Sequence, residues 1–366
     1  MRILANVDTF APVGGVELST LQVCAALAAR GHEIDVLYAE PGVLEEQWRS
    51  FVREARRVPG FTVEFATPWK QLHQLPRSVL AGVHSKPDVI YLNRAEQLLW
   101  GAVVSRLVGA PLVCHLRHHP FSPRAVALLK GSVARYIAVS DFIRREWIEA
   151  GLRPDRIDVV HNGVDPDSYL PASTLQRKLV RQRMGVDSDA TVFLHYGRLT
   201  EEKGVLALLR AWIRAKTPPD WRLVLVGDVD PVVRQAVAES GRPEILLLER
   251  QDNVGDLLAM ADVTVLPALW EEPFGRVVIE SMAAQVPVVA SRRGGIPEIL
   301  SGPWDRFLFE PEDVDQTVSA LHLIGQWRTR QPELGEEARS HVVDQFSLSA
   351  AVDDIESILV SCSSRR

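Results

Sequence analysis

Cysteine is scarce in this 366-residue sequence, and its three cysteines do not approach one another at the short spacing of a zinc or redox site. Cys24 and Cys114 lie in apolar runs, so we expect them to be small core residues. No apolar run approaches the roughly 18 residues of a membrane-spanning helix. The first strand pattern follows the N-terminus without a secretory signal. A cytoplasmic location is therefore expected.

The sequence also lacks a concentrated basic excess. It contains 41 Lys and Arg against 47 Asp and Glu, and its formal net charge is −6. Nucleic-acid-binding proteins usually carry a basic patch, so nucleic acid is not an expected partner. Neither a GxGxxG string nor a Walker A string occurs. Their absence argues against hydride transfer with a dinucleotide and against P-loop phosphoryl transfer.

Length and apolar pattern together predict two α/β domains. A chain of 366 residues exceeds the size at which one hydrophobic core keeps growing. Short apolar strands alternate with helical segments such as Val16–Ala29 and Phe142–Ala150, which is typical of parallel sheets covered on both faces. The expected strands are Arg2–Val7, Glu33–Ala39, Asp88–Leu92, Pro111–Leu116, Tyr136–Val139, Ile157–His161, Thr191–Tyr196, Arg222–Val226, Glu244–Leu248, Val263–Leu266 and Val286–Ala290.

A polar, proline-bearing stretch after Asn162 interrupts this alternation and predicts a linker that extends to Pro171. We therefore expect one Rossmann-like domain over residues 1–170 and a second over residues 171–346, with their parallel sheets facing each other across a cleft. Ligands of open parallel sheets bind beyond the carboxyl ends of the strands. The candidate motifs cluster where predicted strands end.

The most informative stretch of the sequence runs from Trp270 to Ala284. Gly275 allows a ligand to approach the backbone where a helix begins, and the free N–H groups of that turn favour an anion such as phosphate. Glu272 precedes this helix and Glu280 lies on it. Two carboxylates beside a phosphate-binding helix end suit a nucleotide sugar, which has hydroxyls on both sides of its phosphates. Two solvated surface acids are the alternative interpretation.

Two further motifs lie in the first predicted domain. Gly14 and Gly15 open a helix after the first strand, where they would admit an anionic or bulky ligand or simply form a tight turn. His115 ends an apolar strand, and a histidine at such a position is a candidate for binding or proton transfer, although a structural role is common. With His118 and His119 it would lack an obvious fourth metal ligand, so no metal site is expected.

A loop of the second predicted domain carries two cations after a strand. Arg198 offers a planar fork for phosphate oxygens, and Lys203 offers a mobile point charge. Both follow Gly197 on one loop, so they can converge on one diphosphate; exposed surface cations are the alternative. The Asp228-Val229-Asp230 triplet imitates a metal-binding DxD motif but is expected to be a turn.

In their order and spacing these motifs resemble those of the retaining glycosyltransferases of family 4, which have the GT-B fold of two Rossmann-like domains. The resemblance covers nearly the whole chain. It rests on Gly14-Gly15, the strand-end His115, Ala138-Val139-Ser140, Asn162-Gly163-Val164-Asp165, the Gly-Arg-Leu-x4-Gly string from Gly197, the E-x7-E pair Glu272 and Glu280, and Gly294-Gly295-x-Pro297-Glu298.

The resemblance implies a role for each matching residue. Arg198 and Lys203 would hold the donor diphosphate, Glu272 would meet the sugar hydroxyls, and Glu280 would bind the ribose of the nucleotide. The neighbouring Glu271 lacks the x7 spacing. The implied donor-binding residues are Gly15, Gly197, Arg198, Lys203, Glu272, Phe274, Gly275 and Glu280; the acceptor-side residues are Gly14, His115 and His118; and the catalytic residues are His115, Arg198, Lys203 and Glu272.

The implied reaction moves a sugar from a nucleotide diphosphate sugar to an acceptor hydroxyl and retains the anomeric configuration. No protein nucleophile is evident, so the leaving diphosphate would take the acceptor's proton, and catalysis would depend on charge stabilisation and positioning. No metal and no further cofactor are implied. Residues 347–366 would form a helix that crosses back to the first domain.

Three alternatives remain at this point. A nucleotide-sugar epimerase or a sugar phosphorylase shares the GT-B fold, although a phosphorylase usually needs a pyridoxal-phosphate lysine that these motifs do not suggest. A non-catalytic nucleotide-sugar-binding protein is the second. The acceptor is either a small metabolite or a membrane lipid; in the latter case a basic amphipathic helical face would make peripheral membrane contact, where an ordinary surface helix is the alternative. That face would consist of Trp48, Phe51 and Val52 with Arg49, Arg53, Arg56 and Arg57.

Overall fold

A computed structural model of the chain describes residues 1–62, 72–121, 126–127, 130–251 and 253–364. The chain divides into two compact units, which we call the first unit (residues 1–163 with the segment from Leu348 onward) and the second unit (Val164–Ser347). The division falls at residue 163, whereas the sequence analysis set it at residue 170. The Val164 N–H donates to the Phe346 carbonyl at 2.8 Å, which ties this segment to the second unit.

The first unit contains a seven-stranded parallel sheet with the order β3-β2-β1-β4-β5-β6-β7. Its central strands are continuous runs of buried apolar residues, as expected for a sheet covered on both faces. The strands are β1 (Arg2–Thr9), β2 (Glu33–Glu40), β3 (Glu54–Arg57), β4 (Val89–Leu92), β5 (Leu112–Leu116), β6 (Arg135–Ala138) and β7 (Ile157–Val159).

The second unit contains a six-stranded parallel sheet with the order β10-β9-β8-β11-β12-β13. Three neighbouring strands, β8, β11 and β12, end at the loops that carry the predicted donor motifs. The strands are β8 (Thr191–Tyr196), β9 (Trp221–Val226), β10 (Ile245–Leu248), β11 (Val263–Leu266), β12 (Val288–Ser291) and β13 (Leu308–Phe309).

Helices connect the strands in both units. The last one belongs to the first unit, where Val352, Ile355 and Leu359 join the same buried cluster as Ile3 and Val36. The α-helices are α1 (Gly15–Ala29), α2 (Glu45–Arg49), α3 (Leu75–His84), α4 (Leu98–Val108), α5 (Asp141–Glu149), α6 (Thr174–Arg183), α7 (Val205–Arg214), α8 (Pro231–Ser240), α9 (Val254–Met260), α10 (Arg276–Ala283), α11 (Ile296–Ile299), α12 (Val314–Ile324), α13 (Trp327–Arg330), α14 (Leu334–Gln345) and α15 (Leu348–Ser363).

The predicted fold class is confirmed, since each unit is built on one parallel sheet with connecting helices. Every predicted strand is present, with small shifts at the ends. Two strands were not predicted. The sequence of β3 is Glu-Ala-Arg-Arg, which has no apolar signature because this strand lies at the edge of its sheet, and β13 is only two residues long.

The basic amphipathic helical face around Trp48, one of the two interpretations of this segment, is wrong. Helix α2 ends at Arg49 and is followed by strand β3, so these residues do not share one helical face. Trp48 is 1% exposed and stacks on Phe10 with ring centroids 5.5 Å apart, and Phe51 packs against the same core. The apolar residues of this segment were needed for the core. Among the described residues, no helix is long and apolar enough to cross a membrane.

A buried ion cluster fixes the start of β11 in the second unit. The Asp262 carboxylate accepts hydrogen bonds from Arg177 at 2.6 Å, from Arg181 at 2.7 Å and from Arg328. It also accepts from the Val192 N–H of β8 at 2.8 Å. Burial raises the pKa of Asp262, but the three guanidinium groups outweigh it, so this pKa lies below its ordinary value. The cluster joins α6 and α13 to two central strands of the sheet.

Candidate functional site

Three loops meet at the carboxyl edge of the second sheet, because parallel strands end on the same side. They follow β8, β11 and β12, which are neighbours in the sheet. The Glu202 carbonyl accepts from the N–H groups of Leu269 at 3.0 Å and Trp270 at 3.1 Å, which joins the first loop to the second. The Gly295 N–H donates to the Glu272 carbonyl at 2.8 Å, which joins the second loop to the third.

Lys203 and Glu272 contact each other between two of these loops. The Lys203 ammonium donates to Oε1 of Glu272 and lies 4.7 Å from the centroid of the Trp270 ring. The side chains of Lys203 and Glu272 are 15% and 12% exposed. An ammonium that is largely removed from water beside an aromatic face and a carboxylate is strongly held. Two residues that the sequence analysis assigned to different parts of the donor are thus direct partners.

The adjacent Glu271 makes different contacts from Glu272. Its carboxylate accepts from the Gly294 N–H at 2.6 Å and from Arg293 at 2.9 Å. Gly294 has φ +57°, and a Cβ there would lie 2.0 Å from the Glu272 carbonyl oxygen. Glycine is therefore required at this contact. Glu271 holds the glycine loop against the Glu272 backbone, while Glu272 is directed to Lys203.

Helix α10 begins beside this pair. Gly275 is its N-cap and makes no side-chain hydrogen bond, so the N–H groups of the first turn are not capped by a side chain of that residue. The Phe274 ring is buried and packs edge-on against Phe346, with centroids 5.9 Å apart. This packing fixes the turn that leads into the helix. The start of α10 has the geometry that favours an anion.

Glu280 lies on α10 with 6% exposure, surrounded by groups that bind its carboxylate. Arg276 donates to Oε1 through Nε at 3.1 Å and through a terminal nitrogen at 2.9 Å. The Tyr196 hydroxyl donates to Oε2 at 3.2 Å. Burial raises the pKa of the Tyr169 hydroxyl, and the negative charge of Glu280 raises it further. Sequence analysis selected Glu280 by its spacing but missed Arg276 and both tyrosines.

Arg198 lies on the loop after β8 in a much more open setting than Lys203. Its side chain is 56% exposed and forms an ion pair with Glu202 at 2.9 Å. Gly197 precedes it with φ +132°. Arg198 is therefore available to a ligand without the loss of a buried contact.

The Asp228-Val229-Asp230 triplet connects β9 to α8, and it forms a parallel β-bridge between Val229 and Leu199 instead of the predicted turn. Asp230 caps α8 by accepting from the Val232 N–H at 2.9 Å, and Asp228 forms an exposed ion pair with Arg250 at 3.4 Å. Across the part of the chain that the structure describes, no group of three or more His, Cys, Asp or Glu side chains is arranged to hold a metal ion.

The sequence analysis also missed His195, which precedes Tyr196 in β8. Its Nδ1 lies 2.9 Å from the Val265 carbonyl, and its Nε2 has no hydrogen-bond partner among the described residues. Burial, reinforced by the charge of Lys203, lowers the pKa of His195 to about 4. The imidazole is therefore neutral at pH 7. A histidine and a tyrosine in the last two positions of an apolar strand, directly before the Gly-Arg motif, were the available signal.

In the first unit, His115 lies at the carboxyl end of β5 with 2% exposure. Its Nδ1 is 2.7 Å from the Tyr91 hydroxyl, and its Nε2 has no partner among the described residues. Burial lowers the pKa of His115 well below its usual value, and Arg117 lowers it further. Arg117 is itself held by the side-chain oxygens of Asn93 at 3.2 Å and Asn162 at 2.7 Å. His115 is therefore a neutral side chain in a polar, buried network.

The carboxyl edge of the first sheet, where His115 lies, also carries charged residues that the sequence analysis did not identify. Arg94 follows β4 and bridges Glu17 at 2.6 Å and Asp8 at 3.3 Å. Burial, reinforced by Arg94, lowers the pKa of His118 to about 4. His119 is directed elsewhere and pairs with Glu146 at 2.6 Å. The three histidines therefore do not form one ligand set.

Gly14 and Gly15 are exposed at the start of α1. Gly14 is the N-cap with φ −164°, an extended conformation that any residue adopts. Its cap position has no side-chain hydrogen bond. The conformation of Gly14 therefore does not require glycine, and a Cβ added there would lie 3.6 Å from the Glu17 carboxylate.

Comparison with known proteins agrees with this architecture. A model described as Glycosyltransferase Family 4 matches residues 13–168, and one described as Glycosyl transferases group 1 matches residues 176–341. The chain is 29% identical to a lipopolysaccharide 1,2-N-acetylglucosaminetransferase of Salmonella typhimurium over 76% of either chain. It is 25% identical to an N-acetyl-alpha-D-glucosaminyl L-malate synthase of Bacillus anthracis over 98% of this chain and 97% of that protein. The crystal structure of Anabaena Alr3699/HepE in complex with UDP-glucose is also 25% identical, with a TM-score of 0.82 over 99% of this chain and 100% of that one.

Proposed function

We propose, from the premise that this chain belongs to the family 4 glycosyltransferases and has their GT-B fold, that it transfers a sugar with retention of the anomeric configuration and without a metal ion. The observation that carries the proposal is the Lys203–Glu272 pair beside the start of α10. It sets a cation, a carboxylate and a set of backbone N–H groups at one edge of the second sheet. A sugar attached to a diphosphate has complementary groups.

In this proposal the donor lies along the carboxyl edge of the second unit. Lys203, Arg198 and the first turn of α10 bind the diphosphate, Glu272 accepts from a hydroxyl of the sugar, and Glu280 accepts from the ribose. UDP-sugars are the first donors to test, because the similar HepE structure contains UDP-glucose. Positive charge fixed beside the leaving diphosphate stabilises the charge that develops in the transition state.

The proposed chemical step needs no protein nucleophile. The acceptor oxygen bonds to the anomeric carbon on the face from which the diphosphate leaves, the bond from that carbon to the diphosphate oxygen breaks, and the diphosphate takes the hydroxyl proton. In the first unit, His115 and His118 are neutral at pH 7 because burial lowers the pKa of both side chains. A neutral imidazole offers one donor and one acceptor, which suits it to orient a hydroxyl.

Donor binding and stereochemistry are both measurable without knowledge of the natural acceptor. A thermal-shift screen against UDP-, GDP-, ADP- and dTDP-sugars identifies the donor, since a bound ligand stabilises the folded state. Slow hydrolysis of that donor then uses water as the acceptor, and proton NMR records the anomer released before mutarotation. The proposal expects the donor's own configuration. Initial release of the opposite anomer contradicts retention while leaving sugar transfer intact.

The metal-free part of the proposal has a separate test. Arg198, Lys203 and the start of α10 are proposed to supply the positive charge that a divalent ion supplies elsewhere. Turnover of the donor should therefore persist in excess EDTA. Complete loss of turnover in EDTA, with recovery on addition of manganese or magnesium, contradicts this part of the proposal.

A further inference from the structure

The carboxylate of Glu280 has an unusual number of protein partners for a group proposed to bind a ligand. Both Arg276 contacts go to Oε1, at 3.1 and 2.9 Å. The Tyr196 hydroxyl goes to Oε2, at 3.2 Å. An ionised carboxylate has about four acceptor sites, so acceptor capacity remains on Oε2 for a ligand hydroxyl. Arg276 and Tyr196 together determine which oxygen that is.

The Glu280 carboxylate is buried, so it needs the opposite charge of Arg276. The side chains of Glu280 and Arg276 are only 8% and 10% exposed. A carboxylate at that depth is stable in its charged form only when it is paired and hydrogen-bonded. Burial raises the pKa of the Tyr196 hydroxyl, and Glu280 raises it further, so the phenol stays protonated and donates. Arg276 supplies the pairing charge and Tyr196 a second, directional contact.

We propose that Arg276 and Tyr196 are positioning residues that hold Glu280 for a ribose hydroxyl, and that they thereby give the enzyme its preference for ribonucleotides over deoxyribonucleotides. The inference rests on the proposed function, because it takes Glu280 as the ribose contact. A fixed, charged acceptor discriminates strongly against an analogue that lacks the hydroxyl, since the buried carboxylate then loses its partner. A carboxylate free to rotate or to accept a proton discriminates weakly.

Isothermal titration calorimetry with UDP, 2′-deoxy-UDP and 3′-deoxy-UDP tests this inference. Wild-type protein should bind UDP about tenfold or more tightly than 2′-deoxy-UDP, the factor that a hydrogen bond to a charged group supplies. Arg276→Met keeps the side-chain stem but removes the charge, and it should reduce this ratio to within about twofold of unity. Arg276→Lys restores the charge without the planar fork and should recover part of the ratio.

Two further variants separate positioning from direct contact. Glu280→Gln measures the loss of UDP affinity that follows when the hydrogen-bond-accepting carboxylate itself is replaced. The double variant R276M/E280Q should bind UDP as the E280Q protein does, because residues that act through one group are not additive. Arg214→Met is the matched control: Arg214 lies on α7 and pairs with Asp315 at 2.7 Å, with both side chains exposed. This control should keep the wild-type ratio.

Three results would overturn the inference. The R276M protein could keep the wild-type ratio of UDP to deoxy-UDP affinity, or the losses of UDP affinity in the R276M and E280Q proteins could add in the double variant. The wild-type protein could also bind dTDP as tightly as UDP. If circular dichroism shows that the R276M protein does not fold, the Tyr196→Phe variant tests the inference instead. It should reduce the ratio of UDP to deoxy-UDP affinity at least threefold, or by about 0.65 kcal/mol. Failure of the wild-type protein to bind any of UDP, GDP, ADP and dTDP contradicts the proposed function itself.

Discussion

The ammonium of Lys203 contacts the carboxylate of Glu272 and lies 4.7 Å from the centroid of the Trp270 ring. The two charged residues come from the loops that follow β8 and β11, and each is less than one-fifth exposed. With the proposed donor bound, these two residues would lie at the junction of its diphosphate and its sugar. The contact places the groups that are proposed to bind these two parts next to each other, although a sequence motif treats them as separate contacts.

Coupling between Lys203 and Glu272 predicts non-additive kinetics. Lys203→Met and Glu272→Gln should each lower kcat/KM with the donor by the equivalent of about 1.5–3 kcal/mol, since each removes a charged hydrogen-bond partner. The double variant should lose less than the sum, by about 0.5–3 kcal/mol, because the two groups are in contact. Losses that add within error would show that the pair is not coupled during the reaction.

Arg198 should matter for the donor and not for the fold. Its exposed pair with Glu202 contributes only about 0–1 kcal/mol to stability. Arg198→Met should therefore leave the unfolding temperature unchanged but lower kcat/KM by about 1.5–3 kcal/mol. Glu202→Gln is the matched control, because it removes the same ion pair and leaves the guanidinium free for the diphosphate. Equal loss of activity in both variants would contradict the assignment.

The cluster around Asp262 should dominate the stability of the second unit. Asp262→Asn leaves Arg177 and Arg181 buried with a neutral partner, and removing one member of a buried ion pair costs about 3–5 kcal/mol. Chemical denaturation measures this loss directly. Asp315→Asn, which breaks an exposed pair with Arg214, should change stability by less than about 1 kcal/mol.

The same cluster predicts a loss of stability in acid. The pKa of Asp262 is lower in the folded protein than its ordinary value of 3.8. Its contribution is therefore complete above that value and is lost as pH falls through the lower folded pKa. The free energy of unfolding of the wild-type protein should approach that of Asp262→Asn below about pH 4. A difference between the two proteins that stays constant in this range would contradict the ionised state of Asp262.

His195 predicts a pH effect in a higher range. Its pKa is about 4 in the folded protein, against 6.5 when unperturbed. As pH falls between these values, the unfolded chain binds a proton at this residue that the folded protein does not bind. The free energy of unfolding should therefore fall, by up to about 1.4 kcal/mol per pH unit from this residue. His195→Gln lacks this component, so the difference between the free energies of unfolding of the two proteins should be constant above about pH 7 and should change as pH falls from 6.5 to 4. A difference that stays constant over this lower range as well would exclude a buried neutral His195.

The fold was largely predictable because apolar periodicity reports burial directly. Continuous runs such as Val263–Leu266 predicted every central strand of both sheets. The edge strand Glu54–Arg57 was not predicted, since a strand with one neighbour needs few apolar residues. The basic segment around Trp48 allowed a wrong interpretation, because Trp48 on the short helix α2 and Phe51 and Val52 in the connection after it all pack on the core. Their spacing imitates one helical stripe.

The candidate site was predictable only where spacing along the chain carries the information. Glu272, Glu280 and Lys203 were found by motif. The contact between Lys203 and Glu272 joins residues from different loops, so no local pattern reports it. No local pattern reports either that Glu271 and Glu272 contact different groups, because this difference depends on the turn at Gly294. Tyr196 was hidden because a tyrosine fits an apolar strand whether or not its hydroxyl has a partner.

Calorimetry on the two glutamates tests the proposed donor site most directly. UDP alone and the intact UDP-sugar are titrated into wild-type, Glu272→Gln and Glu280→Gln proteins. Glu280→Gln should weaken both ligands by a similar factor, because Glu280 is proposed to bind the ribose that both contain. Glu272→Gln should leave UDP binding nearly unchanged and weaken only the intact donor, by about 1–3 kcal/mol. Equal loss of UDP binding in both variants would contradict the proposed division of the site between nucleotide and sugar.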